Sequence, residues 1–147
     1  MIRRQMSFNL ETFLTEVGRG KKILSARKKQ MLFAQGEATD AVFYIQRGKV
    51  KVTVLSTQGK EAVVAILEQG AFVGESCLVG QTIRTATATT IEDSRIFCID
   101  KAVMLRLLQE EPKFAEAFMA YLLVHSIRVQ EDLVDQLFNS SEKRLAR

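Results

Sequence analysis

Val42-Phe-Tyr-Ile45-Gln-Arg-Gly48-Lys-Val50-Lys-Val52-Thr-Val54 reads as two short strands joined at a glycine. Val50, Val52 and Val54 alternate with Lys51 and Thr53, the period of a strand with one face buried. Val42 to Ile45 is a short run of β-branched and aromatic residues of strand length. Outward from this unit, Gly36, Gly48, Gly59 and Gly70 recur at steps of twelve, eleven and eleven residues. Between them lie Met31-Leu-Phe-Ala34 and Ala62-Val-Val-Ala-Ile-Leu67, and Thr57-Gln-Gly-Lys60 has the composition of a hairpin turn. Evenly spaced short strands with glycine turns predict an antiparallel sandwich or barrel, not a parallel sheet. Downstream, Thr85-Ala-Thr-Ala-Thr-Thr90 alternates hydroxyl and methyl side chains, so one face can pack inward while the other lines a pocket. Ser94-Arg-Ile-Phe-Cys-Ile99 completes the strand pattern.

Helical signals flank the strands. Asn9 is placed to cap Leu10 to Val17, with Gly18 as the stop. Asp100 is placed to cap Lys101 to Glu110, and Pro112 suits the first turn of a following helix. That helix is expected to run from Pro112 to Phe138. Leu123, Ile127, Gln130, Val134 and Leu137 recur along it at steps of 4, 3, 4 and 3, a heptad seam with one polar member. Leu133 and Leu137 lie roughly 30 Å beyond Phe114 along the axis, at 1.5 Å per residue. Packing on the chain's own core suits Phe114, Phe118 and Tyr121, whereas the far end of the seam calls for a second copy of the chain. Asn139-Ser-Ser-Glu begins like another helix cap, which fits either a flexible tail or the start of a further domain.

The chain has 147 residues, 47% hydrophobic and 26% charged, the composition of one ordinary globular domain. No long uncharged apolar run is present, and no apolar signal core follows Met1-Ile-Arg-Arg-Gln. Neither a membrane partner nor export is expected, so the default is cytoplasmic. Cys77 and Cys98 lack metal-site spacing and read as reduced thiols in preference to a bridge. The first thirty residues carry eight Lys/Arg against two Glu, and the remainder thirteen against fifteen. Arg19, Lys21, Lys22, Arg27, Lys28 and Lys29 form a basic cluster that suits a solvated face or loop better than a nucleic-acid site. No aromatic residue interleaves with it. His125 is the single histidine. A metal triad of His and carboxylates, or a Ser-His or Cys-His nucleophile pair, cannot be built on one histidine on a helix, so neither an enzyme nor a metal site is expected.

Function concentrates in Phe72-Val-Gly-Glu-Ser-Cys-Leu-Val-Gly-Gln-Thr-Ile-Arg-Thr-Ala86. Gly74 allows close approach to the backbone, and Glu75 can accept from sugar hydroxyls. Gly74, Glu75, Ser76 and Cys77 can present convergent N–H groups, while Arg84 offers a fork of donors beside the Thr85 hydroxyl. A plain Arg84–Glu75 ion pair is the structural alternative, although an ion pair has no need of bare glycine backbone beside it.

Glycine-punctuated strands, a Gly-Glu-x-x-Leu…Arg-Thr-Ala motif and a long C-terminal helix resemble the cyclic nucleotide-binding domain. The resemblance is closest to the sensor half of bacterial Crp/Fnr-family transcription regulators and runs from about Lys28 to Arg147. Gly74, Glu75, Leu78, Arg84, Thr85 and Ala86 match the family's phosphate-binding cassette, placed here at 72–86. The resemblance implies a mainly β fold with flanking helices, an antiparallel jelly roll (double-stranded β-helix) followed by a long dimerisation helix. It also implies an N-terminal helical segment at 1–20, the jelly roll at 21–100 and the C-terminal helices at 101–139. A DNA-binding domain absent from this chain would begin in 140–147. Arg84 and Thr85 would hold a cyclic phosphate, Glu75 the ribose hydroxyl, and Gly74 to Cys77 the backbone cradle. Val64 and Ala65 match positions that wall the base. A cyclic nucleotide such as cyclic AMP would then be an allosteric ligand, with no other cofactor required, acting through a homodimer on DNA. Val129 and Gln130 stand where cyclic-AMP-responsive members carry neighbouring hydroxyl residues, and Ala65 replaces another hydroxyl residue. Altered or lost cyclic AMP selectivity is therefore expected. The alternative is a dimeric sensor of the same fold that has lost nucleotide binding and answers to haem, a gas or a protein partner.

Overall fold

The computed structural model describes residues 9–145, with side chains through Asn139. Its elements are α1 (Leu10–Glu16), β1 (Lys21–Ala26), β2 (Met31–Phe33), β3 (Ala41–Arg47), β4 (Lys49–Leu55), β5 (Glu61–Glu68), β6 (Phe72–Val73), a 3₁₀ turn (Glu75–Val79), β7 (Thr87–Thr90), β8 (Ser94–Asp100), α2 (Lys101–Glu110) and α3 (Pro112–Leu145). Glu11–Glu110 forms one unit, and α3 belongs to another.

In the first unit the strands build two four-stranded sheets, ordered β1-β8-β3-β6 and β2-β7-β4-β5. Their pairings are antiparallel. Strand 1 lies beside 8, 2 beside 7, 3 beside 6 and 4 beside 5, as when one long hairpin is rolled over on itself. This is the antiparallel sandwich expected from the glycine spacing, in the jelly-roll form that the resemblance implies.

The two kinds of strand pattern mark differently covered sheets. Phe43, Ile45, Val73 and Ile96 from the first sheet meet Phe33, Val50 and Ala88 from the second in the core between them. Val42, Tyr44, Phe72, Phe97 and Ile99 are also buried, and Leu14 of α1 and Met104 of α2 are fully so. Tyr44 packs against Phe72 and Phe97 at 5.0 and 5.9 Å between ring centroids, and its hydroxyl donates to Glu11 Oε1 at 3.3 Å. Both faces of β3 are therefore covered from Ala41 to Ile45, which is why that stretch is an unbroken apolar run. Strand β4 alternates because Val50 and Val52 face the core, while Lys51, Thr53 and Leu55 share the opposite face, where Thr53 alone is buried. Each large side chain buried this way stabilises the fold by about 1.5–3 kcal/mol.

Most strand expectations hold to within one or two residues. Two strands were not legible. Strand β6 has only two residues, and β1 occupies Lys21–Ala26, inside the basic cluster. As an edge strand paired only with β8, β1 stays mostly exposed and shows no alternation. Lys21 is not a free cation: Nζ donates to the carbonyls of Leu14 and Thr15 at 3.0 and 2.8 Å and lies 4.7 Å from the Phe97 ring centroid. Its charge closes the C-terminal end of α1, where the helix dipole is negative. Burial holds its amine below the usual lysine range.

Helix α3 departs from expectation at its far end. It runs through Asn139, Ser140 and Ser141 to Leu145 without a break, so Asn139 does not start a new helix within the described residues. Phe114, Phe118, Tyr121 and His125 form a ring ladder along it, with successive centroids 6.1, 6.3 and 6.0 Å apart.

The β1–β2 turn is pinned by a buried hydroxyl. Thr90, 1% exposed, accepts from the Gln30 N–H at 2.9 Å and donates to the Arg27 carbonyl. The turn places Lys29 at a φ of 69°, a left-handed conformation that few non-glycine residues adopt. Thr90→Val keeps the shape and deletes both bonds, so it is expected to cost about 1–3 kcal/mol. Urea unfolding should show a lower midpoint with an unchanged slope.

Candidate functional site

The segment from β6 to β7 links the two sheets, since β6 belongs to the first and β7 to the second. Gly74 follows β6 directly and takes a φ of 78°, a conformation that glycine adopts without a Cβ penalty. It opens the 3₁₀ turn Glu75–Val79, which buries Cys77 and ends at Gly80. The first N–H groups of such a turn have no partner within it. Glu75 and Leu78 are half-buried, and Ser76 is exposed with its hydroxyl donating to Gln81 Oε1.

Arg84 is the chemical centre of this segment. Its main chain is fixed by the turn after β2: its N–H donates to the Glu37 carbonyl and its carbonyl accepts from Gly36, both at 2.8 Å. Its side chain is only 5% exposed. Nη1 donates to the Gly74 carbonyl at 2.9 Å and Nη2 to the Ala41 carbonyl at 2.6 Å. Cζ lies 4.1 Å from the centroid of the Phe33 ring and 5.8 Å from that of Phe43. Nε has no hydrogen-bond partner among the described residues. The guanidinium thus meets two neutral carbonyls and two aromatic rings. Burial holds its pKa below the usual arginine range, opposed by Cys77, Asp40, Cys98 and Glu37, yet a guanidinium stays charged at neutral pH.

Gly74 and Arg84 require one another. A Cβ on Gly74 would stand 2.3 Å from Arg84 Nη1 and 3.1 Å from a Phe33 ring carbon, so any side chain there displaces the buried cation. Beyond Arg84, Thr85 is exposed and Ala86 half-buried. The structure therefore brings Gly74, Cys77 and Arg84 to one spot. Cys77 Sγ donates to the same Ala41 carbonyl, at 3.8 Å. Phe33 and Ala41 belong to this spot too. Phe33 falls in the strand expected at Met31–Ala34 and Ala41 just before the one expected at Val42–Ile45, and nothing in the chain signals that either meets Arg84, 51 and 43 positions on.

The positions proposed to wall a base are less uniform. Ala65 stands opposite Val52 in the β4–β5 pairing and shares its inner face. Val64 falls at the register shift between Ala65 and Val63, an extra residue in β5, and is 58% exposed. Val129 and Gln130 lie on α3 and are exposed, as are Leu123, Ile127, Val134 and Leu137 of the heptad seam.

Elsewhere, Thr87 and Thr89 line a groove of about 460 Å³ with Lys28, Lys29, Lys51 and Glu61, on the outer face of the second sheet. None of its lining residues belongs to 72–86. Cys77 and Cys98 are both free thiols. Burial pushes the Cys98 thiol above its ordinary value, with Asp100 adding to the effect. Among the described residues, no group of three His, Cys, Asp or Glu side chains can hold a metal ion, and no helix is long and apolar enough to cross a membrane.

Residues 23–111 match the family model of the cyclic nucleotide-binding domain. The chain is similar to the CRP-like cAMP-activated global transcriptional regulator of Mycobacterium tuberculosis, with 28% identity over 116 residues, 79% of this chain and 52% of that protein. It spans about half the length of the curated relatives it matches first. Among solved structures it is similar to the Catabolite Activator Protein of Thermus thermophilus, at a TM-score of 0.66 and 26% identity, covering 80% of this chain and 55% of that one. The sensor domain of the transcriptional regulator DNR from Pseudomonas aeruginosa shares the fold, at a TM-score of 0.66 and 24% identity, with 90% and 91% of the two chains covered.

Proposed function

Because the chain belongs to the cyclic nucleotide-binding domain family, we propose that it is the ligand-sensing part of a CRP-like transcription regulator, binding a cyclic nucleotide at residues 72–86. Arg84 holds the cyclic phosphate, with Thr85 and the backbone of Gly74, Glu75, Ser76 and Cys77 completing the grip. The Glu75 carboxylate accepts from the ribose hydroxyl, and Leu78 and Ala86 close the small-residue surround. The role is regulatory, not catalytic, and is exercised in the cytoplasm.

One observation carries this reading: a guanidinium that is 5% exposed keeps Nε without a partner. Buried donors are seldom left unmet. A phosphate oxygen is the acceptor that best answers a planar cation with N–H groups to spare. The carbonyls of Gly74 and Ala41 already orient the group, so little reorganisation remains when an anion arrives. The base side offers mostly apolar surface, Val64 and Ala65, and apolar contacts discriminate weakly between bases. We therefore expect a firm hold on phosphate and sugar with modest preference among cyclic nucleotides.

The proposed output runs through α3. Leu123, Ile127, Val134 and Leu137 are 46–60% exposed in a single chain, a stripe that a second copy of the helix would cover. The homodimer then relays the ligand signal to a DNA-binding segment beyond this chain.

Calorimetric titration with cyclic AMP, cyclic GMP and cyclic dinucleotides is expected to give saturable binding to at least one of them. Arg84→Leu should weaken that binding roughly hundredfold, the equivalent of losing about two charge-assisted hydrogen bonds, while the fold survives. Absence of binding to all of them would move the signal to another ligand, such as haem or a protein. In sedimentation experiments the chain should be a dimer, and Ile127→Glu should shift it to monomer without changing its circular dichroism.

A further inference from the structure

We propose that Phe33 is a positioning residue for ligand recognition: its ring holds the Arg84 guanidinium flat beneath Gly74, with its spare donors turned toward the anion. The inference rests on the reading of residues 72–86 as an anion site and adds to it a residue outside that segment.

A planar guanidinium has to be fixed in two ways. Rotation within its own plane is set by hydrogen bonds at its edge. Here Nη1 and Nη2 are held by the carbonyls of Gly74 and Ala41. Tilt out of that plane is set by what packs beside the group, and here Cζ lies over the Phe33 ring, 4.1 Å from its centroid. A ring at that separation attracts the cation through its quadrupole, more strongly when water is excluded. Phe33 is itself held. It ends β2, is 9% exposed, and packs against Phe43 with centroids 5.5 Å apart and planes tilted by 38°. The same strand end continues into the turn at Gly36 and Glu37 that fixes the Arg84 main chain. One short segment, from Phe33 to Glu37, therefore positions both ends of Arg84. Phe33 touches no ligand group in this account and acts through the guanidinium alone.

An aliphatic residue of similar size fills the core and supplies no quadrupole. Phe33→Leu and Phe33→Met are thus expected to fold and to bind cyclic AMP or cyclic GMP, whichever the wild type prefers, about tenfold more weakly. Phe33→Tyr, which keeps the ring, should restore affinity to within about twofold. A role in packing alone would not follow the ring in this way. Independently of any ligand, the Arg84 guanidinium protons should resonate upfield in the NMR spectrum of the wild type and of Phe33→Tyr. They should return to ordinary arginine positions in Phe33→Leu and Phe33→Met.

Unchanged affinity in both aliphatic variants, or unshifted Arg84 protons in the wild type, overturns the proposal. A wild-type protein that binds neither nucleotide overturns the ligand reading, and the positioning of Arg84 is then decided by its resonances alone.

Discussion

Burying a positive charge is among the costlier things a small domain can do, and the geometry around Arg84 is what offsets that cost. An unpaired cation taken out of water costs several kcal/mol. The Gly74 and Ala41 carbonyls each return part of this through a charge-assisted hydrogen bond, and Phe33 adds its quadrupole. The remaining donor at Nε is unmet. The acceptors bonded directly to the guanidinium are neutral carbonyls, and the carboxylates of Asp40 and Glu37 act on it only from a distance. Gly74 follows from the same arrangement, since no side chain fits between its backbone and the guanidinium.

The fold delivers these groups from different places. Strand β6, at the edge of the first sheet, ends just before Gly74, and β7 in the second sheet begins just beyond Arg84. The segment between them is thus strapped to both halves of the jelly roll. Ala41 opens β3 and Phe33 closes β2, so each sheet contributes one fixed contact to the guanidinium. Leu14 and Met104, deeply buried in the same unit, belong to the helices α1 and α2 that flank the first sheet in sequence. The second sheet presents Lys51, Thr87 and Thr89 outward, into a groove.

Much of this was legible in the chain because it rests on local chemistry. The glycine spacing and the alternation at Val50 to Val54 identify the antiparallel sheets. Glycine, glutamate, arginine and threonine at fixed steps single out the segment at 72–86 as the candidate site. What escaped depends on distant contacts or on position in a sheet. Strand β1 looked like a basic cluster because an edge strand needs no alternation, and Lys21 turned out to serve α1. The displaced register at Val64 leaves no mark on a run as uniform as Ala62 to Leu67. Asn139-Ser-Ser has the composition of a cap, yet the helix before it is strong enough to continue through. Phe33 and Arg84 meet only because the sheets bring residues 51 positions apart face to face.

The central claim is that the buried guanidinium at Arg84 is an anion grip held ready by its own backbone and by Phe33. A crystal structure of the protein saturated with cyclic AMP tests it most directly. The cyclic phosphate is expected within hydrogen-bonding distance of Arg84, with the bonds to the Gly74 and Ala41 carbonyls retained and the Phe33 ring still against the guanidinium face. A nucleotide lodged instead in the groove of Lys28, Lys29 and Lys51, with Arg84 untouched, would contradict it.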